Sequence, residues 1–420
     1  MGQVIGVGIF LTPAGMAASL GSPFWLLMVW LVMGAMALSG AVVFGELASR
    51  YPEAGGSYVY LRRAYGPGVA FLYGWKCLLV MDPGLTAALA VGLSSYAGYL
   101  IPLSAFARVA VAIGVVVVLA LVNIRGVRLG ARIIGGLTGL KLAALGAIVL
   151  LGLLRRVGDA GHFAPFVAQQ PGSDPLPLAL AAGLVGAFFA FGGWWEISKL
   201  AGEARDPART VPRALLRGVI IVTVAYIAVS GMFLYLVPPG QITSGEAFAA
   251  QAGAVLFGSA GSRAFAGIVV VSVLGALAVQ LMALPRVYYA MARDRLFFPA
   301  MGAIHPRFGT PARAIALQTT LASVLIVVGS FEQILAYFIF VTVGFLGLTA
   351  LSVVVFRRRG GPSPPTPAPY YPVPLVVFVV LVVVLLGLIG GRNPVQALLG
   401  MVVVATGVPV YHFGFRRSVA

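Results

Sequence analysis

The chain has 420 residues, of which 60% are hydrophobic and 9% are charged, and its mean hydropathy is +1.02. No water-exposed globular surface can be built from so few charges, so the composition excludes a soluble protein and points to a lipid bilayer as the surrounding solvent. The formal net charge of +17 would suit a nucleic-acid binder, but the basic residues are spread over alternate loops, and nucleic acid is not an expected partner.

Twelve apolar stretches follow one another, and each is long enough for a helix of about 20 residues to cross a hydrocarbon core. The predicted spans lie near residues 2–20, 24–48, 69–99, 106–123, 131–154, 175–200, 213–237, 263–292, 312–329, 334–356, 373–390 and 394–415. Stretches such as 109–122 are apolar on every face, which favours helices over the alternating strands of a barrel. The sequence therefore predicts an all-α membrane protein of about twelve transmembrane helices.

Arginine residues gather in the loops that follow the even-numbered spans. These loops are residues 50–63, 125–132, 205–213, 293–313 and 357–359, and Arg416 and Arg417 close the chain. Because basic residues concentrate on the cytoplasmic side of a membrane, the pattern predicts a multi-pass protein of the cytoplasmic membrane with both termini in the cytoplasm.

Spans 1 and 6 carry glycine where a helix interior is weakened by it. Gly6 and Gly8 flank Val7 in the first span, and Gly192 and Gly193 are adjacent in the sixth. Each glycine costs roughly 1 kcal/mol relative to alanine in a helix, although small residues also let membrane helices pack closely. Interruptions in the corresponding members of two five-helix halves are typical of an inverted repeat, in which unwound segments near the bilayer midplane line a binding site.

The rest of the chain is organised around these two halves. The repeats are expected at about 1–154 and 175–356, which together form a core of residues 1–356. Residues 357–372, RRRGGPSPPTPAPYYP, are a proline-rich basic segment expected to be a plain cytoplasmic linker. It leads to two additional transmembrane helices within residues 373–420.

Three motifs in order carry a resemblance to a known family. They are GQVIGVGIFLTP at 2–13, FGELASRYPEAGGSYVYLRRAYGP at 44–67, and FFAFGGWWEISKLAGEARDPARTVPRAL at 188–215. The chain resembles the amino acid–polyamine–organocation superfamily, in particular bacterial relatives of the L-type amino acid transporters, up to at least residue 356. The resemblance implies a LeuT-type fold of twelve helices with discontinuous helices 1 and 6. It also implies alternating access and an α-amino acid held by its backbone ends between those two helices.

The sequence departs from the family pattern at three places. Val7 replaces a serine that relatives often carry, and Asp294-Arg295 replaces the Asp-Gly often found after span 8. Five residues precede Gly6, where relatives have a longer first half-helix, so we expect the natural start to lie upstream.

The half-helix of span 1 that begins after Gly8 is the expected site for the carboxylate of the substrate. Free N–H groups and the positive end of a helix dipole favour an anion there. We place Ile5, Gly6, Val7, Gly8 and Ile9 in this part of the site.

The broken end of span 6 is the expected site for the ammonium group. Carbonyl oxygens near Phe189, Ala190 and Gly192 carry the negative end of the dipole, and Gly193 leaves room for the substrate side chain. Phe189 also resembles the family's gating aromatic residue, and Trp194 is included as a further lining residue.

Lys141 lies in the middle of span 5, where a charge costs several kcal/mol unless it is paired or neutralised. It resembles the span-5 lysine that takes the place of a sodium ion beside spans 1 and 8 in sodium-independent members. Burial disfavours the charged ammonium, so Lys141 is a candidate for proton coupling. The alternative is a fixed cation that ties span 5 to carbonyls of span 1.

Asp82, next to Pro83 in span 3, is a second ionisable residue inside the membrane and a second candidate for proton coupling. It could instead pair with Lys76 or serve a structural role at a helix distortion caused by the proline.

Charged residues at the ends of spans 2 and 6 are expected to pair with one another. Glu46, Glu203, Arg205 and Arg209 are predicted to form an ion-pair network at the cytoplasmic face, with a structural role favoured over gating. Cys77, the single cysteine, falls within span 3, so no disulfide-linked accessory subunit is expected.

Catalysis, metal binding and ATP-driven pumping are not expected. His162, His305 and His412 lack the spacing of a metal or catalytic set, and no phosphate-binding loop is present. The resemblance leads us to expect sodium-independent secondary transport of amino acids, neutral ones favoured, by proton symport or exchange and without a cofactor. A carrier of cationic amino acids or polyamines is the alternative, with Asp82 and Glu196 as its candidate acids, and a channel or an amino acid sensor is the distant alternative.

Overall fold

The computed structural model describes residues 8–53, 55–126, 131–203, 206–238, 248–360 and 363–416. Every regular element in these ranges is helical. The α-helices are, in chain order, α1 (Gly8–Leu11), α2 (Pro13–Leu20), α3 (Pro23–Arg50), α4 (Ser57–Tyr65), α5 (Pro67–Lys76), α6 (Asp82–Leu100), α7 (Ala105–Ile124), α8 (Ala131–Arg155), α9 (Leu176–Phe191), α10 (Pro207–Leu236), α11 (Phe248–Ala283), α12 (Pro285–Arg293), α13 (Ala312–Val328), α14 (Phe331–Arg358), α15 (Val373–Arg392) and α16 (Pro394–Val410). The predicted all-α class is confirmed for this part of the chain.

The helices have the length and composition of membrane spans. Within the described ranges, nine helical stretches are long and apolar enough to cross a membrane, and α13 is a shorter apolar helix. Each of the twelve predicted spans overlaps one or more of the α-helices. The chain is therefore a multi-pass membrane protein.

Prolines mark the starts of several helices. Pro23, Pro67, Pro207 and Pro394 are the first residues of α3, α5, α10 and α16. The N–H of a first helical residue has no partner within the helix, so proline loses no hydrogen bond there and its fixed φ suits the helix. These residues define helix starts that hydropathy alone places only approximately.

Two features of the fold were not predicted. The loop after α3 contains the short helix α4, which buries Tyr60 and Leu61 and exposes Arg62 and Arg63. Helix α11 starts at Phe248, before the predicted 263, and has a kink at Gly258 with φ of +66°. A left-handed φ of this kind is tolerated by glycine because it has no Cβ.

The helices that carry the predicted site are neighbours. Helix α1 contacts both α9 and α11, and α8 packs against α11 as well. Helix α3 lies along α10, and α14 packs against α6, α9 and α15. The predicted residues of spans 1, 5 and 6 therefore belong to adjoining helices.

Candidate functional site

The sixth span is interrupted at the predicted glycine pair. Helix α9 ends at Phe191, and Gly192 leaves the helix with φ −51° and ψ 143°. Gly193 has φ of +93°, a conformation that favours glycine, and a 3₁₀ helix follows at Trp194–Glu203. The last carbonyls of α9 therefore lose their partners within the helix.

Two of these carbonyl oxygens already accept one hydrogen bond each. The Phe189 oxygen accepts from the Gly192 N–H at 3.1 Å, and the Ala190 oxygen accepts from the hydroxyl of Tyr226 at 2.9 Å in a buried contact. Because a carbonyl oxygen has two lone pairs, each can still accept a second donor. The expected ammonium site thus consists of partly satisfied acceptors.

The described part of the first span begins at Gly8. Ile5, Gly6 and Val7, and with them the first predicted interruption, lie outside the described residues. Helices α1 and α2 are joined at Thr12, whose φ and ψ remain helical at −97° and −28°. The Thr12 N–H donates to the Gly8 oxygen at 2.9 Å, so the backbone is helical from Gly8 onward.

Gly8 and Ala190 bring the first and the sixth span into direct contact. A Cβ atom added to Gly8 would lie 2.3 Å from the Cα of Ala190, closer than any side chain can approach. The neighbouring Ile9 is fully buried. The two halves of the predicted site therefore meet backbone to backbone, and only glycine fits at position 8.

Phe189 lies in an aromatic group that covers one side of this junction. Its ring centroid is 5.7 Å from that of Phe331 and 6.4 Å from that of Phe338, both on α14. Gly84 of α6 completes the contact, since a Cβ there would lie 2.8 Å from Phe338. The placement suits the gating role implied by the resemblance.

Trp194 packs between α3 and α15. Its ring centroid is 5.1 Å from that of Phe44 and 6.3 Å from that of Phe378, and a Cβ on Gly40 would lie 2.5 Å from its ring. A cavity of about 10 Å³ beside it is lined mainly by apolar side chains, which leaves room for about one water molecule. These contacts are those of a packing residue.

Lys141 is buried in α8, with 4% of its surface exposed. Helix α8 packs against α11, which also contacts α1, so the lysine belongs to a helix next to the predicted site. No hydrogen bond or ion pair joins its ammonium group to another residue in the described part of the chain. Its position is compatible with both roles considered above.

Asp82 follows a π-helical turn, Cys77–Met81, so the helix distortion considered for it is present. Its carboxylate is buried and accepts a hydrogen bond from the hydroxyl of Tyr288 on α12. The ammonium group of Lys76 lies 3.0 Å from Sδ of Met81 and 4.9 Å from the centre of the Tyr73 ring. Turns of this type are frequent at functional sites.

Two buried tyrosines were missed by the sequence reasoning. The Tyr226 hydroxyl donates a hydrogen bond to the Ala190 carbonyl, and the Tyr96 hydroxyl of α6 donates one to the Phe10 carbonyl at 2.6 Å. Each hydroxyl therefore supports one of the two spans that meet at Gly8. A tyrosine in an apolar span usually indicates packing, and only the need of its buried hydroxyl for a partner could have identified it.

Glu46, one member of the predicted ion-pair network, has partners that were not predicted. Glu46 is paired with Arg50 and with Arg357, and it also accepts the Ala368 N–H. We call these four groups the Glu46 cluster. Arg205 and the side chain of Glu203 lie outside the described residues. The prediction therefore identified Glu46 but missed its partners.

Asp294 also lies in an ion pair near the start of α4. Both Tyr58 and Arg62 donate to its Oδ2 atom at 3.0 Å. Burial, and then the nearby charge of Asp294, raises the pKa of Tyr58, so this phenol remains protonated and acts as a donor. Asp294, at the position where this sequence departs from the family pattern, therefore connects the end of α12 to α4.

In this membrane protein, helix α9 of the sixth span is interrupted where it contacts the backbone of α1. This arrangement is typical of secondary transporters. A model of the amino acid permease family matches residues 1–408. The chain belongs to that family, and the resemblance found in its three motifs is confirmed.

Several characterised relatives align with nearly the whole chain. The serine/threonine exchanger SteT of Bacillus subtilis (strain 168) is 29% identical over 100% of this chain and 95% of its own length. The human cystine/glutamate transporter is 28% identical over 98% of this chain and 82% of its own length. The rabbit (Oryctolagus cuniculus) b(0,+)-type amino acid transporter 1 is 29% identical over 85% of this chain and 74% of its own length. All three are amino acid transporters or exchangers by name.

Proposed function

We propose that this protein is a secondary transporter that carries amino acids across the cytoplasmic membrane by alternating access. The observation that carries the proposal is the contact between Gly8 and Ala190 at the broken end of α9. Membership of the amino acid permease family and the names of its relatives support the same cargo.

The proposed architecture is a LeuT-type 5+5 inverted repeat with two additional helices. Repeats at about 1–154 and 175–356 form the transport core, residues 357–372 connect it to the segment 373–420, and both termini are cytoplasmic. The interruption at Gly192 and Gly193 supports this layout. So does the agreement between the twelve predicted spans and the α-helices.

The proposed site holds the zwitterion by its two ends. N–H groups in residues 5–9 bind the carboxylate, because the start of a helix carries partial positive charge. Carbonyl oxygens of Phe189, Ala190 and Gly192 bind the ammonium, using the acceptor capacity left over from their internal hydrogen bonds. Gly193 leaves space for the side chain, and Phe189 gates the site with Phe331.

The proposed cargo is a neutral amino acid, moved without sodium by exchange or proton symport. The name of the Bacillus subtilis relative favours exchange. Lys141 is the proposed coupling residue if protons are used, and Asp82 is the second candidate. Of the two candidate acids for a cationic cargo, Asp82 already accepts a hydrogen bond from the Tyr288 hydroxyl.

Uptake into liposomes tests the proposal. Liposomes that contain the purified protein and are loaded with unlabelled amino acid are expected to take up labelled neutral amino acids with saturable kinetics. Uptake should be faster than into the same liposomes without internal amino acid, and it should be equal with and without sodium. Selective uptake of arginine or polyamines would favour the alternative cargo. Flux that never saturates would indicate a channel, and binding without flux would indicate a sensor; either result would contradict the proposal.

A further inference from the structure

The proline-rich segment expected to be a plain linker is attached to the helix bundle. We call residues 363–372, SPPTPAPYYP, the strap. Between Pro364 and Pro369 the only backbone N–H groups belong to Thr366 and Ala368, because the other residues are prolines. Both of these N–H groups donate to side chains of α3, so this part of the strap has no free backbone donor.

The two contacts lie on one face of α3. The Thr366 N–H donates to the hydroxyl of Ser49 at 2.8 Å, and the Ala368 N–H donates to Oε2 of Glu46 at 2.9 Å. Residues three apart on a helix share a face, as Ser49 and Glu46 do. Proline fixes φ, so a proline-rich chain loses less backbone entropy on docking than other chains do.

The strap connects the ends of three helices. The Thr366 hydroxyl donates to the Ala208 carbonyl of α10 at 3.1 Å. The guanidinium group of Arg357, at the end of α14, donates to both carboxylate oxygens of Glu46 and lies 3.8 Å from the centre of the Tyr371 ring. Glu46 is therefore the point where α3, α14 and the strap meet.

We propose that the strap is a latch that closes this end of the bundle and releases α3 when that end opens during transport. The inference rests on the alternating access of the proposed function, which requires helix ends to separate at each face in turn. The contacts around the strap are hydrogen bonds and one ion pair, which can break and form again. Two of them join backbone N–H groups of the strap to the side chains of Ser49 and Glu46. A segment that only joined α14 to α15 would need none of them.

A reversible disulfide tests whether release is required. Ser49→Cys with Thr366→Cys places thiols on two neighbouring residues, since the Thr366 nitrogen lies 2.8 Å from the Ser49 hydroxyl oxygen. A disulfide between them requires a Cα separation of about 4.4–6.8 Å. The native Cys77 is fully buried and is retained. Oxidation is expected to abolish nearly all amino acid exchange, and a reductant is expected to restore it.

The two single-cysteine variants, treated with the same oxidant, are the controls and should keep their exchange. Cross-linking is measured by mass spectrometry of the joined peptides, so that loss of activity can be compared with the fraction of bonded chains. Full exchange by completely cross-linked protein would overturn the proposal.

A second variant weakens the latch without changing charge. Ala368→Pro removes the N–H that reaches Glu46, whereas Ala368→Ser keeps it and serves as the matched control. Hydrogen exchange at the Thr366 amide is expected to be faster in the proline variant than in the serine variant. Equal exchange in the two would show that this contact does not hold the strap.

The failure of the latch can be distinguished from the failure of the proposed function. If the unmodified protein moves no amino acid in liposomes, the transport proposal fails by itself. The latch is then judged from the Thr366 amide alone, because a strap that opens must exchange faster than the amides of the buried helices. Exchange as slow as in those helices would overturn it.

Discussion

The Gly8–Ala190 junction and the Glu46 cluster satisfy buried polar groups in opposite ways. At the junction, the Ala190 carbonyl receives one hydroxyl and keeps acceptor capacity. In the cluster, two carboxylate oxygens receive donors from Arg50, Arg357 and Ala368. A partly satisfied acceptor can bind and release a ligand, whereas a saturated carboxylate holds its neighbours together. This difference suits the first region to the ligand binding proposed for it and the second to the fastening of helix ends that the proposed latch requires.

The largest loss of stability is expected from removing Glu46, the centre of the Glu46 cluster. Glu46→Ala leaves Arg50, whose side chain is 5% exposed, as an unpaired buried charge. Loss of one partner from a buried pair costs about 3–5 kcal/mol. Thermal unfolding in detergent is expected to show a loss of this size.

Glu53→Ala is the matched control, because its pair with Arg63 is about half exposed on both sides. Exposed pairs contribute about 0–1 kcal/mol, so this variant should remain close to the parent. Similar losses in the two variants would contradict the assigned difference between them.

The next effect is expected at the junction itself. Gly8→Ala places a methyl group 2.3 Å from the Cα of Ala190, and overpacking of this kind costs about 1–3 kcal/mol. Separating α1 from α9 should also abolish uptake, because both halves of the proposed site lie there.

Gly15→Ala on the neighbouring helix α2 is the control, since a Cβ at Gly15 meets nothing within 4 Å. Liposome uptake and thermal unfolding are measured for both variants. Retained uptake by the Gly8 variant would separate transport from the close approach of the two spans.

A smaller effect tests whether the Ala190 carbonyl is a ligand-binding acceptor. Tyr226→Phe removes its hydroxyl donor and leaves the carbonyl unsatisfied, at a cost of about 1–2 kcal/mol in the empty protein. A bound ammonium group would satisfy the freed lone pair. Saturating amino acid is therefore expected to raise the unfolding temperature more in this variant than in the parent.

Tyr337→Phe provides the comparison, because its hydroxyl reaches the Leu79 carbonyl of the π-helical turn, away from α9. It should lose stability without any change in the ligand effect. If the Tyr226 variant behaves in the same way, the Ala190 carbonyl does not contact the substrate.

The sequence predicts features that depend on single residues better than those that depend on distant partners. The break at Gly192 and Gly193 could be predicted because glycine is the residue that tolerates the φ of +93° found there. The hydroxyl of Tyr226 is 36 positions from the carbonyl it holds, and the Ala368 amide is 322 positions from Glu46. No local pattern encodes such pairs, because they arise only when the helices pack. The same reason explains why the strap was interpreted as a plain linker.

The smallest effect on stability, but a decisive effect on coupling, is expected at Lys141. If this lysine takes up and releases the transported proton, Lys141→Ala should remove the pH dependence of uptake while leaving the protein folded, because it deletes the titrating group and leaves no partner charge behind among the described residues.

Lys76→Ala is the matched control, since Lys76 is also buried but faces Met81 and Tyr73. Its uptake should keep the pH dependence of the parent. Initial rates in liposomes over a pH series, with the internal pH held constant, measure both variants. An unchanged pH profile in the Lys141 variant would leave this residue as a fixed cation that ties α8 to its neighbours.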